Sequence, residues 1–545
     1  MRGNDFMSAS KKKQLRTEGS EKLTERQMAE QKEAKKIQLY SIAFVVVMVV
    51  LIAVAIVVGI NRSIQASGVH EKKTVAATVG DHQISNAELS YYYIDYVNNY
   101  ANTYGNYLSL FGIDSTVALD KQMYDEEAGV TWADNFISEA ASSVKSIYAL
   151  ADAAEAEGFT LPQEQQDQVD IMSNNLDSYA TIYGYSDVNS FLKAQYGNGA
   201  SKESYMAYYQ RNLLASAYQT QHQNSLSYTP EQIREADSQD PAAYSSFSYA
   251  QYHIPVSKYL TGGTTDAEGN TTYTAEERTA AIAAAKEAIA PLCDVDTVEA
   301  LDAAIAAMEI NADTEAASTV YTNQARTGIN SYLSAWVTAE NREPGDVTCI
   351  EIPGTVKDEN GEDMETITAF YVVLFTGKDE NLTNLVNVRH ILVGFEGEAQ
   401  EDGTYSDEVK EAAKTKAEEI LNEWKSGDAN EDSFAALANE KSTDNGSNAN
   451  GGLYENVYPG QMVAAFNDWC FDASRKPGDT DIVETNYGYH VMFFSSASDQ
   501  TYRDYQIVNN LRNTDMENWY QSLVENYTVT MGDTSYMRKD IVLSR

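Results

Sequence analysis

A chain of 545 residues with 81 acidic against 39 basic side chains, a formal net charge of −42, is long enough for several hydrophobic cores. A surface that acidic repels phosphate backbones and excludes nucleic acid as a partner. The three cysteines (Cys293, Cys349, Cys470) are too few and too scattered for a disulfide framework and are expected as small buried hydrophobes, and no zinc, P-loop or dinucleotide motif implies a metal or cofactor.

Residues 1–36 form a leader with ten Lys/Arg against six acids, including KKK at 11–13. Leu39–Ile60 follows as 22 uncharged, Val- and Ile-rich residues, and a transmembrane anchor is read over 37–60. A cleaved signal peptide is the rival, but its apolar region usually runs about 7–15 residues. No cysteine lies near the run, which excludes a lipoprotein anchor there. The basic flank puts the N-terminus in the cytoplasm and the bulk of the chain outside. Removing the leader's +4 from −42 leaves −46 for the exported part.

After a polar linker, TVAATVGDHQIS reads as a strand, a turn and a helix cap, with Ser85 and Glu88 in capping-box spacing. Residues 74–245 then carry apolar positions three and four apart, a helical region. Its many tyrosines serve either as ordinary packing or as an adaptable surface for unfolded chains.

An internal repeat follows. SAWVTAENREPGDVTCIE (334–351) matches NDWCFDASRKPGDTDIVE (467–484), aligning Trp336 with Trp469, Arg342 with Arg475, and the two Pro-Gly-Asp triplets. Upstream, YAQYHIPV (249–256) matches NVRHILVG, aligning His253 with His390. Each copy continues into a helix and closes on an apolar strand, AFYVVLF (369–375) and GYHVMFF (488–494). The unit is too long for a solenoid, so two tandem α+β domains are expected, at 246–380 and 385–497.

Within VNVRHILV, alternation puts His390 on one face with Val388 and Leu392. By itself such a histidine is either satisfied in a core or part of a site. A second strand histidine, His490, shares a face with Met492 and Phe494, and antiparallel neighbouring strands would let the two imidazoles bond each other. The Gly/Asn/Ser loop between them carries one carboxylate, Asp444.

RHILV, the loop SxDxGSxANGG, GQM with Phe four residues after Met, and YGYH together resemble the parvulin (PpiC-type) peptidyl-prolyl isomerases. The whole chain is similar to extracytoplasmic foldases of the PrsA and SurA type. The resemblance implies His390, His490, Asp444 and a buried Thr485 as the catalytic set, and Met462 and Phe466 as an open proline pocket. Tyr454 stands where the family has a pocket leucine. The loop after the first strand is acidic where phosphate-directed members are basic, which argues against phosphoserine-proline selection. In the first copy Tyr371 falls where His490 does, so that domain reads as degenerate. The C-terminal segment 500–545 is expected to pack back on the helical region, with YTVTMG pairing TVAATVG.

The resemblance therefore implies a membrane-anchored extracytoplasmic foldase. It would isomerise X–Pro bonds of unfolded, newly exported polypeptides without metal or cofactor. A non-catalytic holdase, or a membrane adaptor built on an inactive scaffold, is the alternative.

Overall fold

The computed structural model describes residues 25–543 apart from 266–268, 270, 313, 359–360 and 401–402, with side chains from 46 onward. The basic leader expected at 1–36 lies outside the described residues up to position 24. One compact unit comprises the chain up to Ser225 together with the segment from Glu517; the other is Leu226–Met516.

The first unit begins with helix α1 (Glu25–Ala66). Its stretch Val46–Ala66 is long and apolar enough to cross a membrane. Strands β1 (Val75–Val79) and β2 (His82–Ser85) lead into α2 (Asn86–Tyr104). Ser85 accepts from the Glu88 N–H, but the expected reciprocal half of the box is absent. The Glu88 carboxylate instead accepts from the Tyr148 hydroxyl and from Arg211. Helices α3 (Trp132–Ala156) and α4 (Lys202–Ser225) pack around α2. A short hairpin, Met123–Asp125 with Val130–Thr131, interrupts the helical run.

Tyr91, Tyr92 and Tyr93 are all buried because α2 is enclosed on several sides, and Tyr208 and Tyr218 are buried with them. Packing is thus the role of those tyrosines. The C-terminal strand Val529–Met531 pairs antiparallel with β1 in the register Ala77–Met531 and Val79–Val529.

The second unit holds two four-stranded antiparallel sheets. The first is made of β3 (Ser246–Pro255), β4 (Thr319–Ala325), β5 (Val347–Lys357) and β6 (Asp363–Asp379), in the order β4-β3-β6-β5. The second is made of β7 (Asn384–Gly394), β8 (Leu453–Val457), β9 (Thr480–Thr485) and β10 (Gly488–Thr501), in the equivalent order β8-β7-β10-β9. Helices α5 (Asp407–Ser426) and α6 (Glu431–Lys441) cover one face of the second sheet. Helix α7 (Ala464–Cys470) lies on the other, where Val388, Phe466, Met492 and Phe494 meet.

The repeated motif makes the same local structure twice. Arg342 lies over the Trp336 ring at 4.2 Å, and Arg475 over Trp469 at 4.4 Å. In one copy the Gly345 N–H donates to the Phe375 carbonyl and the Phe375 N–H to that of Asp346. In the other, Gly478, Phe494 and Asp479 repeat the pattern.

Those anchors correct the alignment of the histidines. Tyr249 lies opposite Phe375, as Val388 lies opposite Phe494. Tyr371 then does correspond to His490. However, the strand position of His390 is taken by Gln251, and His253 corresponds to Leu392. The motif match was two residues out of register. A strand repeats every two residues, so that slip leaves every side chain on its proper face and sequence pattern cannot detect it.

The cysteine expectation also fails in part. Cys293 and Cys349 form a disulfide across 56 residues of the first α+β domain, and only Cys470 is a free buried thiol among the described residues. Two cysteines far apart in sequence carry no signature of their pairing; the approach of the segment before Val298 to β5 makes it.

Candidate functional site

Strands β7 and β10 are neighbours, with His390 opposite Met492 and His490 opposite Leu392. The histidines are therefore diagonal on one face, and their Nδ1 atoms lie 2.9 Å apart. The loop after α6 runs beside the edge of β7: the Thr443 N–H donates to the Leu392 carbonyl, and Ser442 Oγ accepts from the Leu392 N–H. This stitching brings Asp444 Oδ2 to 2.9 Å from His390 Nε2.

The rest of the loop needs glycine. Gly452 has φ +70°, and a Cβ there would sit 2.1 Å from the His390 carbonyl oxygen. With none, the His390 N–H donates to the Gly452 carbonyl at 2.9 Å. At the far end, a Cβ on Gly488 (φ +145°) would meet the Val393 carbonyl at 2.2 Å.

One proton arrangement satisfies the whole chain of groups. Thr485 Oγ1 lies 2.9 Å from His490 Nε2 and donates to it. His490 Nδ1–H donates to His390 Nδ1, and His390 Nε2–H donates to Asp444. Both imidazoles are then neutral. Burial pushes the His390 pKa down, opposed by Asp444. Burial and then the neighbouring His390 push His490 down to about 3. Asp444 is the reverse case. Burial alone would raise its pKa, but hydrogen bonds from Ser447, the Gly446 N–H, His390 and Tyr454 hold it at about 2. The site thus presents one fixed anion backed by two neutral rings.

These groups form one wall of a cavity of about 300 Å³. Leu392, Met462, Val463 and Phe466 supply apolar lining, with Tyr454, Gln461 and Tyr487 at its edges. The Phe466 ring stands edge-on to both histidines, at 5.4 and 5.3 Å. The sequence placed Phe466 in an open groove; it is only 3% exposed and belongs to the core, because it closes the floor behind the cavity. Met462 is the half-exposed partner at the rim.

Residues 371–496 match the family model described as the PPIC-type PPIase domain. From β7 onward this stretch is a PPIC-type peptidyl-prolyl isomerase domain of the parvulin type. A curated relative, foldase protein PrsA 1 of Listeria innocua, is 33% identical over 107 residues, covering 20% of this chain and 29% of the relative. The chaperone SurA of Chromohalobacter salexigens is 29% identical over 147 residues, 26% of this chain and 31% of that protein. The chain therefore matches less than a third of the length of these relatives. Among solved structures, PrsA from Bacillus subtilis aligns at 25% identity over 27% of this chain and 51% of that chain, with a TM-score of 0.18.

All seven side chains singled out from sequence converge in the PPIC-type domain: Asp444, Tyr454, Met462, Phe466, His390 and His490 line the cavity, and Thr485 stands behind His490. Sequence reasoning missed Ser447, which donates to Asp444 at 2.5 Å and approaches His390 Nε2 at 3.1 Å. Its position three residues past Asp444 in one turn was the available signal. It also missed Leu392 as pocket lining, although alternation had put it on the His390 face.

Proposed function

We propose that this chain is a membrane-anchored, extracytoplasmic foldase whose PPIC-type domain isomerises X–Pro bonds of unfolded exported polypeptides. The observation that carries the reading is the meeting, in one cavity of about 300 Å³, of an apolar lining with a fixed carboxylate. Leu392, Met462 and Phe466 would hold the ring, with Tyr454 as a further wall. Asp444 would lie beside the carbonyl oxygen of the preceding residue. A planar amide carries more negative charge on that oxygen than a twisted one, because only the planar form is conjugated. A nearby anion therefore disfavours the planar ground state and lowers a barrier that is about 18–20 kcal/mol unaided. His390, His490 and Thr485 would keep the carboxylate aimed. No bond to the substrate is made or broken, so no nucleophile is required.

In this reading the first α+β domain is non-catalytic, since Gln251 and Tyr371 stand where the two histidines would be. The test is a refolding reaction limited by proline isomerisation. Residues 385–497 should accelerate it, and residues 246–380 should not. Equal rates with both fragments would discard the division of roles.

The second reading, a holdase whose isomerase is idle, is favoured by apolar side chains left bare on the first unit. Leu110 is 79% exposed and Ile182 73%, with Tyr107, Phe111 and Tyr183 also open. With the full chain added to the same refolding reaction, it would show as suppressed aggregation without acceleration.

Anchoring rests on α1, whose 21-residue apolar stretch is about 31 Å long as a helix, near the thickness of a bilayer core. Protease added to intact cells should digest the chain from β1 onward and spare the leader. A soluble chain starting just past the apolar stretch would mean that the stretch is a cleaved signal instead.

A further inference from the structure

Tyr454 occupies β8, directly opposite Val388 and on the histidine face of the sheet. Its ring lies 5.3 Å from His390, and its hydroxyl donates to Asp444 Oδ2 at 3.0 Å. That oxygen also receives His390 Nε2–H and the Ser447 hydroxyl, while Oδ1 receives the Gly446 N–H at 3.0 Å. Donors thus reach one carboxylate from β7, from β8 and from its own loop, with His490 of β10 one step behind His390. Burial and the hydrogen bond to Asp444 raise the Tyr454 pKa, so the phenol keeps its proton and remains a donor.

The first α+β domain supplies a contrast. Tyr321 lies opposite Tyr249, the register position of Tyr454 opposite Val388. Its hydroxyl accepts from Gln251 Nε2 at 3.3 Å. The two hydroxyls go to different places: that of Tyr321 bonds Gln251 of the neighbouring strand, and that of Tyr454 passes His390 and reaches the loop carboxylate. Among the described residues, no carboxylate bonds the Tyr321 hydroxyl.

The geometry points to Tyr454 as a positioning residue: through its hydroxyl it fixes Asp444 Oδ2 toward the cavity, and its ring is secondary. This deepens the isomerase reading and rests on it. An aliphatic side chain at the same place could line the pocket but could not direct the anion.

The test is a double-mutant cycle in the full chain at pH 7.5, pairing Tyr454→Phe with Asp444→Ala. Tyr454→Phe keeps the ring and should lower kcat about three- to tenfold, less than the loss of a lone hydrogen bond to a charged group, because Ser447 and His390 still donate. KM for a proline peptide should stay within about twofold, since the apolar wall is intact. In the Asp444→Ala background the same change should do nothing further. Tyr454→Leu should match Tyr454→Phe in kcat. A purely structural role would leave kcat of Tyr454→Phe at the wild-type value, or would cost the same in both backgrounds; either result overturns the proposal. The cycle is also read on the thermal midpoint of the PPIC-type domain, which needs no catalysis. A wild-type chain without isomerase activity would overturn the function proposed above, and the midpoint coupling would still decide the role of Tyr454: a midpoint lowered only where Asp444 is present supports it, and equal effects refute it.

Discussion

Phe466→Ala is expected to lower the stability of the PPIC-type domain by about 3–5 kcal/mol and to abolish isomerisation with it. The side chain is buried among Val386, Val388, Met492 and Phe494. It also stands edge-on to both histidine rings, so its removal opens a cavity beneath the polar chain as well as widening the pocket. Neighbours anchored in a sheet and a short helix can collapse into that space only partly, which keeps the cost at the upper part of the range for large-to-small changes. Met462→Ala is the internal comparison. That side chain is half-exposed at the rim, and its loss should reduce activity while the domain stays folded. Urea midpoints with isomerisation rates on both variants make the check. A Phe466→Ala domain as stable as wild type would mean that the ring lines an open groove after all.

Acid should destabilise the same domain well before carboxylates in general protonate. His490 is held to about 3 in the fold, by burial and then by its neighbour, against about 6.5 when unfolded. Between those values the unfolded chain binds the proton and the folded chain refuses it. Stability then rises with pH up to about 6.5 and is lost as pH falls below it. His390 is also depressed and adds in the same direction. Asp444 acts lower down: its folded value of about 2 lies under the unfolded one, so its contribution is complete above about pH 4 and disappears toward 2. For His490 alone the linkage amounts to about 3 kcal/mol at pH 4. Hydrogen exchange of β7 in the full chain, followed from pH 8 to 4.5 and corrected for the intrinsic rate, should show protection level above about pH 7 and falling below it. Constant protection across that range would contradict a neutral buried pair. Isomerisation at about pH 7–8.5 should be nearly flat, since burial holds both histidines below their ordinary value and Asp444 is already ionised.

Much of this site was legible in the amino-acid sequence because strand geometry is local. Alternation alone puts His390 and His490 each on an apolar face, and the repeated Pro-Gly-Asp turns with their Trp–Arg pairs announce two tandem copies of one α+β fold. The Gly/Asn/Ser loop between the two histidines offers one carboxylate, Asp444. What sequence pattern could not reach are contacts between segments that share no period. A two-residue slip preserves every face, so only the hydrogen-bonded register of β3 on β6 showed that Gln251, and not His253, stands where His390 does. Cys293 and Cys349 are joined across 56 residues by the packing of the first domain, which no spacing encodes. Burial of Phe466 depends on where α7 sits on the sheet, and the bond from Tyr454 to Asp444 depends on a loop and an edge strand meeting at one oxygen. Side-chain direction along one strand is a property of the backbone and can be read residue by residue. Which strand lies beside it, in what register, and which loop closes over it are decided only when the whole domain packs.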